Sequence, residues 1–303
     1  MKQWGEEIKE KTGHTATLIG ASKKVVGDGV YTVAMIQTLY REKQREPAGN
    51  WSMYGDITVF DECHTMPSKT AYSVGMSIKS IYRLGLSATP NRPDGADMKL
   101  WGVAGCIAKI IDVEGLVDSG YIAEPIFELM YPDPVSGLKP WSSWADVYKR
   151  GITANVQRND MIVMKTEDLL KQGRQVYIHV NHIAHGRALA WRIPGSKFLC
   201  GSDDKKEREQ IISDFKSGEL TVLVSTLLKE GVSIDGISAL IYAAGGKSDI
   251  ATIQTIGRAL RMDEKFGNAL IFDFVDNGHK FLTEHSEERI RIYREIYGEL
   301  FPY

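Results

Sequence analysis

The sequence has few cysteines, no long apolar run and no excess of positive charge. Its three cysteines, at positions 63, 106 and 200, are too few and too scattered for a disulfide framework, which favours a reducing compartment. No apolar run reaches the roughly 18 residues of a membrane span, and the first residues lack a signal-peptide core. With a net charge of −2, any attraction to nucleic acid must be local. We therefore expect an intracellular, cytoplasmic protein without membrane attachment.

The 303 residues are enough for two domains, and 43% hydrophobic with 25% charged residues is typical of globular proteins. Predicted strands and helices alternate with short connections, which indicates an α/β fold with parallel strands and helices on both faces. Residues 131–150, rich in proline, serine and tryptophan, show no clear period. We place the domain boundary between residues 118 and 119, giving domains 1–118 and 119–303.

Two adjacent carboxylates follow a predicted strand in the first domain. Ile57–Phe60 has the composition of a buried strand, and Asp61 and Glu62 follow it directly. Carboxylates at the carboxyl end of a strand can hold Mg²⁺ and deprotonate a water, which is the chemistry of nucleotide hydrolysis. A strand that ends in a polar turn explains the same residues equally well. A zinc site at Cys63 and His64 is disfavoured because no partner ligands have suitable spacing.

A predicted helix in the second domain carries a polar stripe. Gln254, Gly257, Arg258 and Arg261 are spaced to share one face, while apolar residues occupy the other side. Two arginines on one stripe suit the clamping of phosphate oxygens. A solvated basic face is the alternative, but the glycine costs about 1 kcal/mol relative to alanine in a helix, which indicates a further role.

These motifs together resemble those of superfamily 2 helicases over most of the chain, from Gln3 to about Asp276. Asp61–His64, Ser87–Thr89 and Gln254–Arg261 look like motifs II, III and VI, and Val224–Thr226 with Glu230–Asp235 is similar to motif V. Leu84–Gly95 resembles the XPB-like group, which includes bacteriophage helicases of recombination and stalled-fork remodelling. The resemblance implies two RecA-like domains with mainly parallel sheets, and an ATP-dependent DNA helicase or translocase with ATP and Mg²⁺ as cofactors.

The resemblance also implies roles for individual residues at the nucleotide. Asp61 would hold Mg²⁺, and Glu62 would activate the attacking water. Arg258 and Arg261 would face the γ-phosphate, with Arg261 as the arginine finger, and Gln254 would help to place the water.

Other residues would connect the nucleotide to nucleic acid. Ser87 and Thr89 would couple the nucleotide state to the nucleic-acid groove, which Arg92, Gly201 and Thr226 would contact. Gly231 and Asp235 would lie near the nucleotide or the domain interface. For Gly201 and Thr226, simple turn roles are nearly as well supported. Contacts of this kind reach phosphates and sugars, so binding should tolerate any base sequence, with DNA preferred over RNA.

The sequence departs from the family at the phosphate loop, because it contains no GxxxxGK(S/T). Gly245–Ser248 has the GKS ending, but the first glycine of the pattern would fall on Ile241, so we interpret it as an ordinary loop. By the family pattern, the loop and its strand would lie before Met1, and the first domain would be truncated at its N-terminus. A separate chain or an upstream segment would then supply the Walker A loop.

Three interpretations of the function stay open on this basis. The leading one is a helicase core in fragment or split form, which we expect to be nearly inactive alone. The second is a non-catalytic nucleic-acid-binding or regulatory module with the same fold. The third, an unrelated doubly wound enzyme such as a glycosyltransferase, gives no reason for the arginine stripe.

Overall fold

A computed structural model of the chain describes residues 1–20, 23–46, 55–87, 95, 97–108, 113–227, 237–247, 256–257 and 266–303. By its internal contacts the chain divides into two compact units, Met1–Ile110 and Ile111–Tyr303. The domain boundary between residues 118 and 119 stays a prediction. Within the described ranges, no helix is both long and apolar enough to cross a membrane.

The second unit is built on a parallel sheet of six strands in the order β6-β11-β10-β7-β9-β8. Its strands are β6 (Glu124–Met130), β7 (Val176–His179), β8 (Lys197–Leu199), β9 (Val222–Ser225), β10 (Ala239–Tyr242) and β11 (Asn268–Phe274). Every residue of β7, β9 and β10 is buried, as expected for central strands of a parallel sheet. The predicted α/β architecture is therefore confirmed.

Alternate residues of these strands pack into two cores on opposite faces of the sheet. Tyr177, Leu223 and Leu240 belong to one core, together with residues of the helix Lys205–Ser217 and of the C-terminal helix, Lys280–Tyr297. Ile178 and Val224 belong to the other core, with residues of two further helices. Both faces of the sheet are thus covered by helices.

The first two helices described in the second unit are short. The short helices are α5 (Val113–Asp118) and α6 (Trp144–Tyr148). The longer ones that follow are α7 (Val156–Lys171), α8 (Ile183–Arg192), α9 (Lys205–Ser217) and the C-terminal helix. The Asp204 side chain accepts hydrogen bonds at the start of α9, and Gly218 ends it with a left-handed φ of 84°. Val113, the first residue of α5, packs against the core.

The residues described in the first unit form two separate small sheets. In the first sheet β1 (Thr17–Gly20) lies between β2 (Lys23–Val25), which is antiparallel, and β3 (Thr32–Ala34), which is parallel. The second sheet pairs β4 (Ile57–Phe60) with β5 (Tyr82–Gly85) in parallel. The helices of this unit are α1 (Lys2–Thr12), α2 (Ile36–Arg45), α3 (Lys69–Gly75) and α4 (Asp97–Ala104).

The prediction that β4 is buried was wrong for one of its faces. Phe60 is buried and packs with residues of α3 and α4. On the opposite face Ile57 and Val59 are 59% and 51% exposed, and their paired neighbours Tyr82 and Leu84 are 63% and 54% exposed. We call these four side chains the open face. Parallel sheets are normally covered on both sides, so an uncovered apolar face beside the acidic strand end is unusual.

Candidate functional site

Asp61 and Glu62 stand at the carboxyl end of β4, as the sequence predicts, and both are exposed. Glu62 has φ 50° and ψ 47°, and within the described residues it is the one non-glycine residue with positive φ. This conformation costs a non-glycine residue roughly 1–2 kcal/mol. Strain at an exposed acid often marks a functional position, which supports a chemical role for Glu62.

His64 links the acidic strand end to the end of the neighbouring strand. Its Nδ1 lies 3.0 Å from the Ser87 hydroxyl and 3.2 Å from a Glu62 carboxylate oxygen. The backbone reinforces this link, because the Cys63 amide donates to the Leu86 carbonyl at 2.9 Å. Since one ring nitrogen carries at most one proton, a proton on Nδ1 can be donated to only one of the two groups at a time.

His64 is therefore a residue that sequence reasoning missed, since we weighed it only as a zinc ligand. The signal was present, because a histidine two residues after Glu62 and a serine at the end of the next parallel strand must lie at one sheet edge. Cys63 packs in the core with Phe60 and Met66. Burial raises the pKa of the Cys63 thiol, and the neighbouring Glu62 and Asp61 carboxylates raise it further. The thiol therefore stays protonated, a poor state for a zinc ligand.

The donor set at this edge suits Mg²⁺ better than zinc. Asp61 offers exposed carboxylate oxygens, and Mg²⁺ in nucleotide enzymes is held by one or two carboxylates together with phosphates and waters. Among the described residues no cluster of three or more histidine, cysteine or acidic side chains could hold a metal by itself. A Mg²⁺ ion here would thus need oxygen ligands from the nucleotide and water.

Gly201 and Thr226 are brought together at the carboxyl edge of the second sheet. They follow β8 and β9, which pair in parallel with Leu199 opposite Ser225. The Thr226 amide donates to the Leu199 carbonyl at 3.2 Å, and the Ser225 hydroxyl donates to the same oxygen at 2.8 Å. The two predicted nucleic-acid contacts therefore share one short stretch of sheet edge.

The other predicted site residues lie outside the described residues: Thr89, Arg92, Gly231, Asp235, Gln254, Arg258 and Arg261. Of the predicted helix that carries the last three, Ile256 and Gly257 are described, and both are helical. Ile256 is buried in the core, as predicted for its side of the helix, and Gly257 is exposed. The roles of the seven residues stay predictions.

The loop that leads towards this helix is held at three carbonyls. Tyr148 Oη donates to Ala244 O at 2.5 Å, Arg158 donates to Ala243 O at 2.9 Å, and Arg289 donates to Gly246 O at 2.7 Å. Gly245 and Gly246 both have positive φ, and a Cβ added at Gly245 would lie 2.6 Å from Ile152 Cδ1. The backbone from Ala243 to Gly246 is therefore tightly packed, which favours our interpretation of Gly245–Ser248 as an ordinary loop, although Ser248 lies outside the described residues.

The two arginines that contact this loop also form buried ion pairs. Arg158 pairs with Asp276 at 2.7 Å, and Arg289 pairs with Asp273 at 2.8 Å, with all four side chains at most 3% exposed. Burial raises the pKa of Asp276, while the Arg158 and Arg289 guanidinium groups act in the opposite direction. Burial also raises the pKa of Tyr148 to about 12, so its hydroxyl stays a donor to Ala244.

Comparison with known proteins finds two family models that match separate parts of the chain. A helicase conserved C-terminal domain matches residues 161–263, and a type III restriction enzyme res subunit domain matches residues 1–92. A protein of Sulfolobus islandicus filamentous virus that is named as a helicase is 28% identical over 278 residues, covering 85% of this chain and 48% of the relative. The ATP-dependent DNA helicase UvsW of Enterobacteria phage T4 is 24% identical, covering 91% of this chain and 59% of the relative.

Solved helicase structures share the fold at low sequence identity. The helicase MrfA bound to DNA has a TM-score of 0.67 at 14% identity, covering 97% of this chain and 41% of that one. S. cerevisiae Dbp5 bound to RNA and ADP BeF3 has a TM-score of 0.61 at 17% identity, covering 99% of this chain and 72% of the Dbp5 chain. The chain spans about half the length of the curated relatives it matches.

Proposed function

We propose that this chain is a superfamily 2 helicase and forms the core of an ATP-dependent DNA helicase or translocase, because a helicase C-terminal domain model matches it and curated relatives are named as DNA helicases. The observation that carries the proposal is the acidic pair at the end of β4, in which Glu62 has a strained backbone and is joined through His64 to Ser87 at the end of β5. It supports nucleotide hydrolysis at this edge. Such an enzyme acts where nucleic acid is found, so we also propose an intracellular, cytoplasmic location.

In the proposed reaction Asp61 would hold the Mg²⁺ that accompanies ATP, and the ion would supply charge neutralisation at the phosphates. Glu62 orients the attacking water and takes its proton. Gln254 helps to position that water, and Arg258 and Arg261 neutralise the charge that develops on the γ-phosphate, with Arg261 as the finger. The hydrogen bonds at Ala243, Ala244 and Gly246 support these roles by fixing the loop towards the arginine-bearing helix.

Coupling to nucleic acid is assigned to His64, Ser87 and Thr89. His64 Nδ1 contacts both the Glu62 carboxylate and the Ser87 hydroxyl, the latter at 3.0 Å. A change at the Glu62 carboxylate therefore alters the hydrogen bond between His64 and Ser87. Gly231 and Asp235 contribute near the nucleotide or the domain interface.

The nucleic-acid contacts proposed are Arg92, Gly201 and Thr226. Hydroxyl, backbone and isolated cationic groups meet phosphates and sugars, so binding tolerates any base sequence. We prefer DNA because curated relatives such as UvsW are named as DNA helicases, although fold neighbours have been solved with DNA and with RNA.

We further propose that a segment outside these 303 residues, in the same or a separate chain, supplies the phosphate loop. The open face of Ile57, Val59, Tyr82 and Leu84 supports this, because it is apolar, uncovered and directly beside Asp61. The proposed occupant is a strand, a GxxxxGK(S/T) loop and a helix that covers the face.

A second candidate function is a non-catalytic nucleic-acid-binding or regulatory module. The absence of GxxxxGK(S/T) from the sequence favours it, because without backbone N–H groups around the phosphates Asp61 alone binds Mg-ATP poorly.

ATP hydrolysis by the chain supplemented with such a loop-bearing segment separates the two candidates. In the supplemented form Arg261→Ala should lower turnover by on the order of 10³-fold, as for other arginine fingers, and leave DNA binding nearly intact. Weaker DNA binding with unchanged turnover would reverse the assignment of that helix. Absence of turnover in every supplemented form would favour the non-catalytic module.

A further inference from the structure

The connection between β6 and α7, residues 131–155, folds into a compact structure on the second sheet. We call it the cap segment. Its Val147 and Ile152 are buried against Leu282 of the C-terminal helix, and the Tyr148 ring packs on His182 at a 33° tilt with ring centroids 4.7 Å apart. His182 follows β7, so the cap segment lies on the same carboxyl edge of the sheet as Gly201 and Thr226.

The two tryptophans of the cap segment have different environments. Trp144 is half-buried against His285, with ring centroids 4.4 Å apart, and also contacts Tyr148 and Phe281. Trp141 is 81% exposed. Trp144 therefore has a packing role, whereas packing within the chain does not explain Trp141.

The turn that carries Trp141 is held in place. The Ser142 amide donates to Lys139 O at 2.9 Å, and the Lys139 amide donates to the Ser142 hydroxyl at 3.1 Å. His279 Nδ1 accepts from the Phe281 amide, so Nε2 carries the proton and donates to Lys139 O at 3.1 Å. A large exposed ring on a turn that is already ordered loses little conformational entropy when it binds a ligand.

The cap segment carries more cations than carboxylates, in a chain that is acidic overall. Lys139, Lys149 and Arg150 are exposed, and the Arg150 guanidinium is fixed beside the turn because it donates to Ser136 O and Gly137 O at 3.1 Å each. The cap segment has two carboxylates, Asp133 and Asp146, against these three cations, whereas the whole chain has a net charge of −2.

We propose that Trp141 is a stacking site for an unpaired base of single-stranded nucleic acid, with Lys139 and Arg150 contacting the adjoining phosphates. Exposed aromatic rings among cations bind single strands without sequence preference, because every base presents a π-face. The site extends the nucleic-acid contacts at Gly201 and Thr226 along the sheet edge, and so it rests on the proposed function. A base inside a duplex is already stacked, so duplex binding should not depend on Trp141.

The test is the affinity of the 303-residue chain for a fluorescein-labelled oligothymidylate at low salt, measured by anisotropy. Trp141→Ala should weaken binding by about tenfold, and Trp141→Phe should retain most of the affinity because it keeps an aromatic face. Trp191→Ala is the matched control, since Trp191 is 88% exposed on α8 away from the turn, and it should bind as the unaltered chain does. A blunt duplex should bind Trp141→Ala and the unaltered chain equally.

Comparison with Thr226→Ala separates this site from the proposed function. If Thr226→Ala weakens binding and Trp141→Ala does not, the stacking site is wrong and the nucleic-acid function stands. If the unaltered chain does not bind the oligonucleotide at low salt, the stacking site and the proposed nucleic-acid function are both overturned.

Discussion

Arg158 connects a buried carboxylate to the loop that leads towards the predicted arginine finger. It pairs with Asp276, donates to Ala243 O at 2.9 Å and lies 4.1 Å from the Phe274 ring. A buried charge that loses its partner is much more costly than an exposed one. The residue therefore has a structural role that directly supports the candidate site.

We expect Arg158→Met to lower the free energy of unfolding at pH 7 by about 3–5 kcal/mol, because it leaves the Asp276 carboxylate buried and unpaired. Burial already raises the pKa of Asp276, and loss of Arg158 removes the largest effect that opposes the rise. A folded-state pKa above the unfolded one makes the folded state bind protons more readily, so part of the loss should be recovered as the pH falls from 7 towards 5. Urea unfolding of Arg158→Met and of the unaltered chain at pH 7 and pH 5 measures these free energies of unfolding.

Lys171→Met is the matched control for this experiment, because Lys171 and Asp168 form an ion pair with side chains 74% and 60% exposed. Its unfolding midpoint should match that of the unaltered chain. An Arg158→Met deficit that is the same at both pH values would contradict the assignment to Asp276.

Contacts over long sequence separations explain why residue-level prediction was incomplete. The position of Asp61 and Glu62 at a strand end followed from the local pattern, whereas Gly201 and Thr226 were implied by the resemblance. The hydrogen bonds of Tyr148 and Arg158 to the loop after β10 join residues 96 and 85 positions apart, and no periodicity encodes such pairs. The Glu62–His64–Ser87 link required the parallel pairing of β4 with β5 to be known first.

At the level of elements, β4 and β7 differ in burial although both have strand-forming sequences. Of the four residues of β4 only Phe60 is buried, whereas all four residues of β7 are. The composition of β4 predicts a strand correctly, but burial depends on what packs on its second face.

We predict that backbone amides of β4 and β5 exchange with solvent faster than those of β7 and β10, by on the order of 100-fold. The reason is that the open face leaves the β4–β5 ladder without apolar cover on one side, while β7 and β10 are central and fully buried. Hydrogen–deuterium exchange on the 303-residue chain gives both rates in one experiment, with β7 and β10 as the internal control. Equal protection of the two pairs would show that the open face is covered in solution.

At the scale of the whole molecule, the alternation of strands and helices predicted the architecture of the second unit closely. Six parallel strands with cores on both faces follow from near-continuous apolar strands separated by amphipathic helices. The first unit was predicted less well, because two small sheets and an uncovered face depend on interactions beyond local sequence.

The central claim is that Asp61 and Glu62 form a hydrolytic site that needs a phosphate loop not encoded in these 303 residues. Steady-state ATP hydrolysis with single-stranded DNA tests it most directly, using the chain alone, the chain joined to a strand–GxxxxGK(S/T)–helix segment, and the joined form with Glu62→Gln. We predict little turnover by the chain alone, DNA-stimulated turnover by the joined form, and loss of that turnover in Glu62→Gln with DNA binding retained. Robust DNA-stimulated turnover by the chain alone, or undiminished turnover in Glu62→Gln, would contradict the claim.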